Sequence, residues 1–105
     1  MEMDAFTLDQ FRIFIAVVEA GSFSAAARRL NRAKSAVTYA VQKLEDQVGT
    51  NLFDRSAYRP TLSEAGHILL PKAQRVLDDV ARSAKLLGIE PGSFAILRPL
   101  DGHAP

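Results

Sequence analysis

The stretch Gly21–Val48, GSFSAAARRLNRAKSAVTYAVQKLEDQV, constrains this chain more than any other. An alanine-rich segment runs to Leu30, three residues interrupt it, and a longer amphipathic segment follows, which predicts helix, tight turn, helix. Ser22 or Ser24 supplies the N-cap of the earlier helix of this pair, and Ala25, Ala26 and Ala27 let another backbone approach closely. Asn31-Arg32-Ala33 forms the turn, because Asn tolerates left-handed geometry and bonds its own backbone. In the second helix Val37, Val41, Leu44 and Val48 recur at steps of four, three and four, the spacing of one buried stripe, and Gly49 ends it. The opposite side carries Lys34, Ser35, Thr38, Tyr39, Gln42 and Lys43, with no acid before Glu45.

Charge is distributed to match. The whole chain has a formal net charge of only +1. Residues 1–23 hold one base against four acids, whereas residues 24–59 hold seven bases against three acids, a local net of +4. A positive segment that coincides with a docking motif points to a nucleic-acid partner, whereas a charge cluster alone is an ordinary solvated face.

The flanks add three elements. Thr7-Leu8-Asp9-Gln10 has the form of a capping box, so the first helix starts there and runs to Ala20 with Gly21 as its stop. Phe11, Ile13, Phe14, Ile15, Ala16, Val17 and Val18 leave Arg12 as the sole polar residue in its middle, so this helix is apolar nearly all round. It is expected to be central and also covered on one side, through Phe14 and Val18, by a second subunit. Asn51–Arg55 and Arg59–Leu62 read as two short extended pieces around a turn, a hairpin or wing with Arg55 and Arg59 bracketing its tip. Leu52, Phe53 and Leu62 are expected in the core.

Thr61-x-x-Glu64, with Ser63 as an alternative cap, opens a helix expected over Glu64–Leu87, about 36 Å long, with a bend at Pro71. Leu69, Ala73, Val76, Val80, Ala84 and Leu87 form one near-heptad seam, and Leu70, Leu77 and Ala81 start another. Two strips suggest two partners, the parent domain and the same helix of a second copy; a single broad core-facing stripe is the alternative. After Gly88 the pattern gives way to GIEPGSFAILRPLDGHAP, with three of the five prolines, read as hinge and tail over 89–105.

Composition closes other routes. With no cysteine and two histidines, neither a disulfide framework nor a thiolate zinc site is possible, and no metal or cofactor is expected. No apolar run approaches the roughly 18 residues of a membrane span, and the start is acidic (Glu2, Asp4) rather than signal-like, so a cytoplasmic protein is expected. There is no glycine-rich phosphate loop and no nucleophile with a base, which argues against an enzyme. His67 reads as a surface or packing residue, and the adjacent Asp78 and Asp79 diverge around a helix.

These segments together resemble the DNA-binding domain of LysR-type transcriptional regulators over about residues 6–87. The resemblance rests on LDQFRIFIAVVEAGSFSAAARRL, KLEDQVGTNLFDR and RPTLSEAGHILLPKAQRVL, in residue type and in spacing. It implies a mainly α fold, with a winged helix-turn-helix over 1–62 and a long dimerisation helix over 63–88. It also implies a homodimer on a partly palindromic double-stranded DNA operator, higher oligomers in full-length members, and no small-molecule ligand on this part. Family members continue into a two-lobed effector-binding domain, which these 105 residues do not contain.

The DNA-facing set is then Arg32, Lys34, Ser35, Thr38, Tyr39, Gln42, Lys43, Arg55 and Arg59. The dimer-facing set is Phe14, Val18, Leu69, Ala73, Val76, Val80 and Leu87. The chain departs from the family where Ser-Gln usually opens the recognition helix and Ala33-Lys34 stand here, removing a helix cap and an amide reader. Arg32 replaces an apolar residue and Tyr39 an arginine. The function carried forward is sequence-specific DNA binding, against a protein-interaction module that heterodimerises without binding DNA itself.

Overall fold

A capping box opens the first helix. In the computed structural model, which describes residues 7–56 and 58–89, Thr7 Oγ1 accepts from the Gln10 backbone N–H at 3.1 Å. Gln10 Oε1 accepts from the Thr7 N–H at 2.8 Å in return. Helix α1 (Leu8–Ala20) follows, and Gly21 ends it at φ +85, a left-handed geometry natural to glycine.

Helix α2 (Phe23–Leu30) is capped by Ser22, whose Oγ accepts from the Ala25 N–H at 3.0 Å. Its end is closed by two reverse bonds: Arg32 N–H to Ala27 O at 2.9 Å and Asn31 N–H to Arg28 O at 3.2 Å. That closure places Asn31 at φ 56, the left-handed residue on which the chain turns. Helix α3 (Lys34–Val48) begins at Ala33, which offers no side-chain cap, and ends at Gly49.

Strands β1 (Phe53–Asp54) and β2 (Thr61–Leu62) pair antiparallel, Phe53 opposite Leu62 and Asp54 opposite Thr61. Thr61 is therefore a strand residue and not the cap of the next helix. Ser63 takes that role, its Oγ accepting from the Gly66 N–H at 3.1 Å and donating to Asn51 O at 2.7 Å. Helix α4 (Glu64–Leu86) continues through Pro71. It closes on Gly88 at φ 74, with Ile89 N–H bonded to Ala84 O at 2.8 Å.

Among the described residues the architecture is thus four helices and a two-stranded sheet. The core sits around α1, which packs on α2, α3 and α4. Phe14, Val17, Val37, Val41, Leu44 and Leu52 are the largest fully enclosed side chains. Gly66 is where α4 meets the wing: a Cβ there would lie 2.3 Å from Leu52 O and 2.7 Å from Leu62 Cδ2, so no other residue permits this approach.

Two interface expectations are corrected by this packing. Phe14 is wholly enclosed, its ring edge-on to Phe53 with centroids 5.5 Å apart, and Ala73 is buried against the same cluster. Both are core of their own protomer, because a helix with apolar residues on every side is covered here by three neighbouring helices. Val18, Leu69 and Val80 are part-buried, while Val76 and Leu87 are exposed. The expectations for Glu2, Asp4 and residues 90–105 lie outside the described residues.

Candidate nucleic-acid interface

Burying the α3 stripe fixes what the helix shows outward. With Val37, Val41 and Leu44 turned inward, Lys34, Ser35, Tyr39, Gln42 and Lys43 are exposed and Thr38 is half-buried. Tyr39 is 66% exposed, far more than a packing tyrosine would be. Lys34, Ser35, Thr38, Tyr39 and Gln42 line one shallow surface. Gln42 Nε2 donates to Asp46 Oδ1 at 3.1 Å, which engages one of the amide's two N–H donors and leaves the other, with the carbonyl, available.

Beside this surface runs a groove of about 460 Å³, lined by the start of α2 (Ser22, Phe23, Ser24), by Lys34 and Thr38 of α3, and by Arg55, Tyr58, Arg59 and Pro60 of the wing. Lys34, Arg55 and Arg59 converge there from separate parts of the chain. Arg59 reaches across to Gly21, where a Cβ would stand 3.4 Å from its Nη1. Tyr58, at the wing tip, is almost completely exposed.

Arg55 is tied to the fold through residues that sequence reasoning passed over. Glu45 is only 4% exposed, and its Oε2 accepts from the backbone N–H groups of Leu52 at 2.8 Å and Phe53 at 3.3 Å. Its Oε1 accepts from Arg55 Nη2 at 3.3 Å. The Arg55 guanidinium also lies over the Phe23 ring, 4.8 Å from its centroid, and Phe23 in turn meets Phe53 edge-on at 5.6 Å. A signal for Glu45 existed: it follows Val37 and Val41 at steps of four, on the inward side of α3. Its partners, though, become neighbours only after the chain reverses at Gly49.

Arg32 is placed differently from expectation. Both its terminal nitrogens are taken by Asp9 of α1, Nη1 to Oδ2 at 2.7 Å and Nη2 to Oδ1 at 2.9 Å. Donation of these hydrogen bonds to Asp9 raises the Arg32 pKa, partial burial lowers it, and the carboxylate's charge raises it further, the net direction being up. At the wing, the Ser56 backbone N–H donates to Asp54 Oδ1 at 3.0 Å and holds that carboxyl below its usual range.

Two helices joined by a tight turn, the second presenting an exposed polar face, and a small hairpin carrying cations beside it define a winged helix-turn-helix of the DNA-binding class. Residues 8–67 match the family model described as bacterial regulatory helix-turn-helix protein, lysR family. The chain belongs to that family. It is 47% identical over 72 residues to a probable RuBisCO transcriptional regulator of Cyanidioschyzon merolae, covering 69% of this chain and 24% of that protein. To the HTH-type transcriptional regulator CrgA of Neisseria meningitidis it is 36% identical over 98 residues, covering 92% of this chain and 32% of that protein. The chain therefore spans about a quarter to a third of the length of the curated relatives it matches.

Among solved structures, the CbnR_DBD–DNA complex superimposes with a TM-score of 0.73 at 39% identity, over 76% of this chain and 92% of that one. The BenM_DBD/catB site 1 DNA complex gives 0.77 at 29% identity, over 79% and 93%.

Proposed function

We propose that this chain is the sequence-specific DNA-binding part of a LysR-type transcriptional regulator. It acts as a homodimer in the cytoplasm on a partly palindromic operator, with no enzymatic activity of its own. The observation that carries this reading is the convergence of the exposed α3 face with the groove that Lys34, Arg55 and Arg59 share. Inserted into a major groove, α3 offers Lys34, Ser35, Thr38, Tyr39, Gln42 and Lys43 to base edges and nearby phosphates, while Arg55 and Arg59 meet the adjacent backbone or minor groove. Lys34 brings donors only, which suits guanine O6 and N7. Arg32, bound through both nitrogens to Asp9, holds the turn instead of touching DNA. Residues 1–62 form the docking unit and 63–88 the dimerisation helix. The exposed Val76 and Leu87, with the part-buried Leu69 and Val80, give that helix an apolar surface for a second copy.

Duplexes recovered from a random-sequence pool by binding to the purified chain, then titrated at several salt concentrations, test the reading. Arg55→Ala is expected to weaken binding to every sequence and lower the salt slope by about one, while Ser35→Ala and Tyr39→Ala change which bases are preferred. Identical uniform losses for all three would sink the division of roles, and recovery of no duplex would sink the function.

A further inference from the structure

We infer that Glu45 is a positioning residue for DNA binding, fixing the wing arginine Arg55 against the Phe23 ring so that its free edge is presented to a phosphate; this rests on the DNA-binding reading above. A carboxylate this deeply buried is costly unless its oxygens are bonded, and the two oxygens of Glu45 have separate work. Oε2 holds the backbone of Leu52 and Phe53 and so anchors the first strand of the wing. Oε1 contacts only the arginine among its hydrogen-bond partners in the described residues.

Arg55 is constrained in two ways at once. One terminal nitrogen is held by Glu45, and one face of the planar guanidinium is covered by Phe23, which the Phe53 and Phe14 rings connect to the centre of the core. A planar group held at one corner and covered on one face has few orientations left, and Arg55 lines the groove shared with Lys34, Thr38 and Arg59. The side chain is still 39% exposed. An ion pair with one partner so exposed adds little to stability. What it does supply is a preset orientation for a bidentate donor, whose ordering cost is met before DNA arrives.

The separation of the two oxygens makes the inference testable. In Glu45→Gln the amide oxygen still accepts from Leu52 and Phe53, while the NH2 group faces Arg55 donor to donor. Phe23→Leu removes the platform without touching Glu45. A fluorescence-anisotropy titration of the intact chain with its selected duplex, over a salt series, compares these variants alone and combined with Arg55→Ala; thermal unfolding confirms that each is folded. Glu45→Gln and Phe23→Leu are each expected to weaken binding about tenfold. In the Arg55→Ala background each should change it by less than about twofold. Equal losses with and without Arg55 would show a purely structural role and overturn the inference, as would wild-type affinity in Glu45→Gln. If the wild-type chain binds no duplex, the DNA-binding reading fails first and takes this inference with it.

Discussion

Arg32 and Asp9 meet through two parallel hydrogen bonds that join the helix-turn-helix turn to the first turn of α1, 23 positions earlier. Because Asp9 is 43% exposed and Arg32 31%, solvent screening holds the pair to about 0.5–1 kcal/mol. Arg32→Ala is expected to lower stability by that amount in urea unfolding at low salt, with the difference shrinking toward 1 M salt. The raised pKa of Arg32 contributes stability that is complete below the usual arginine value and is lost only as pH rises past it. Salt is therefore a more practical variable than alkaline pH for exposing this pair.

Ala33 opens α3 without a side-chain cap. Ala33→Ser places an acceptor for an N–H of the first turn and is expected to stabilise the domain by about 1 kcal/mol. Chemical denaturation reads the gain directly; an unchanged midpoint would mean that solvent already serves those donors equally well.

Gly66→Ala should be far more damaging than a normal helical Gly→Ala change, which is favourable by up to about 1 kcal/mol. Here the added methyl meets the Leu52 carbonyl, a backbone atom with no rotamer to move. A loss of about 1–3 kcal/mol or more is expected from overpacking, seen as a lowered unfolding midpoint.

Asp54 gives the wing a dependence on acid. Its pKa is lowered chiefly by the Ser56 backbone bond, so the contribution is present above the unfolded aspartate value and is lost as pH falls through the folded one. Exchange of the Ser56 amide is expected to show increased opening below that range, and Asp54→Asn, which keeps an acceptor but cannot titrate, should flatten the response.

What was legible in the sequence was what is local. Thr7 and Gln10 announce α1 because both partners of the capping box lie within four residues, and the α3 stripe follows from helical spacing alone. Ser63 and Thr61 were harder to separate, since either matches a cap pattern and only strand pairing with Asp54 assigns Thr61 to the sheet. Phe14 misled because an all-apolar helix does not reveal which side its own protomer covers. Glu45 was hidden because its value depends on Leu52, Phe53 and Arg55 returning after the turn at Gly49. The face of α3 was readable; the support behind Arg55 was not.

Gln10 does more than complete a cap. While its oxygen accepts from Thr7, its amide Nε2 donates to Gln47 Oε1 near the far end of α3. The first turn of α1 therefore cannot fray without releasing a contact 37 positions away, and α3 cannot shift without disturbing that turn. Local unfolding at either end is coupled to the other, so the amino-terminal edge of the domain and the base of its DNA-facing helix belong to one cooperative unit. A first helical turn that would ordinarily be among the looser parts of a small domain is thereby enlisted to keep the reading head still.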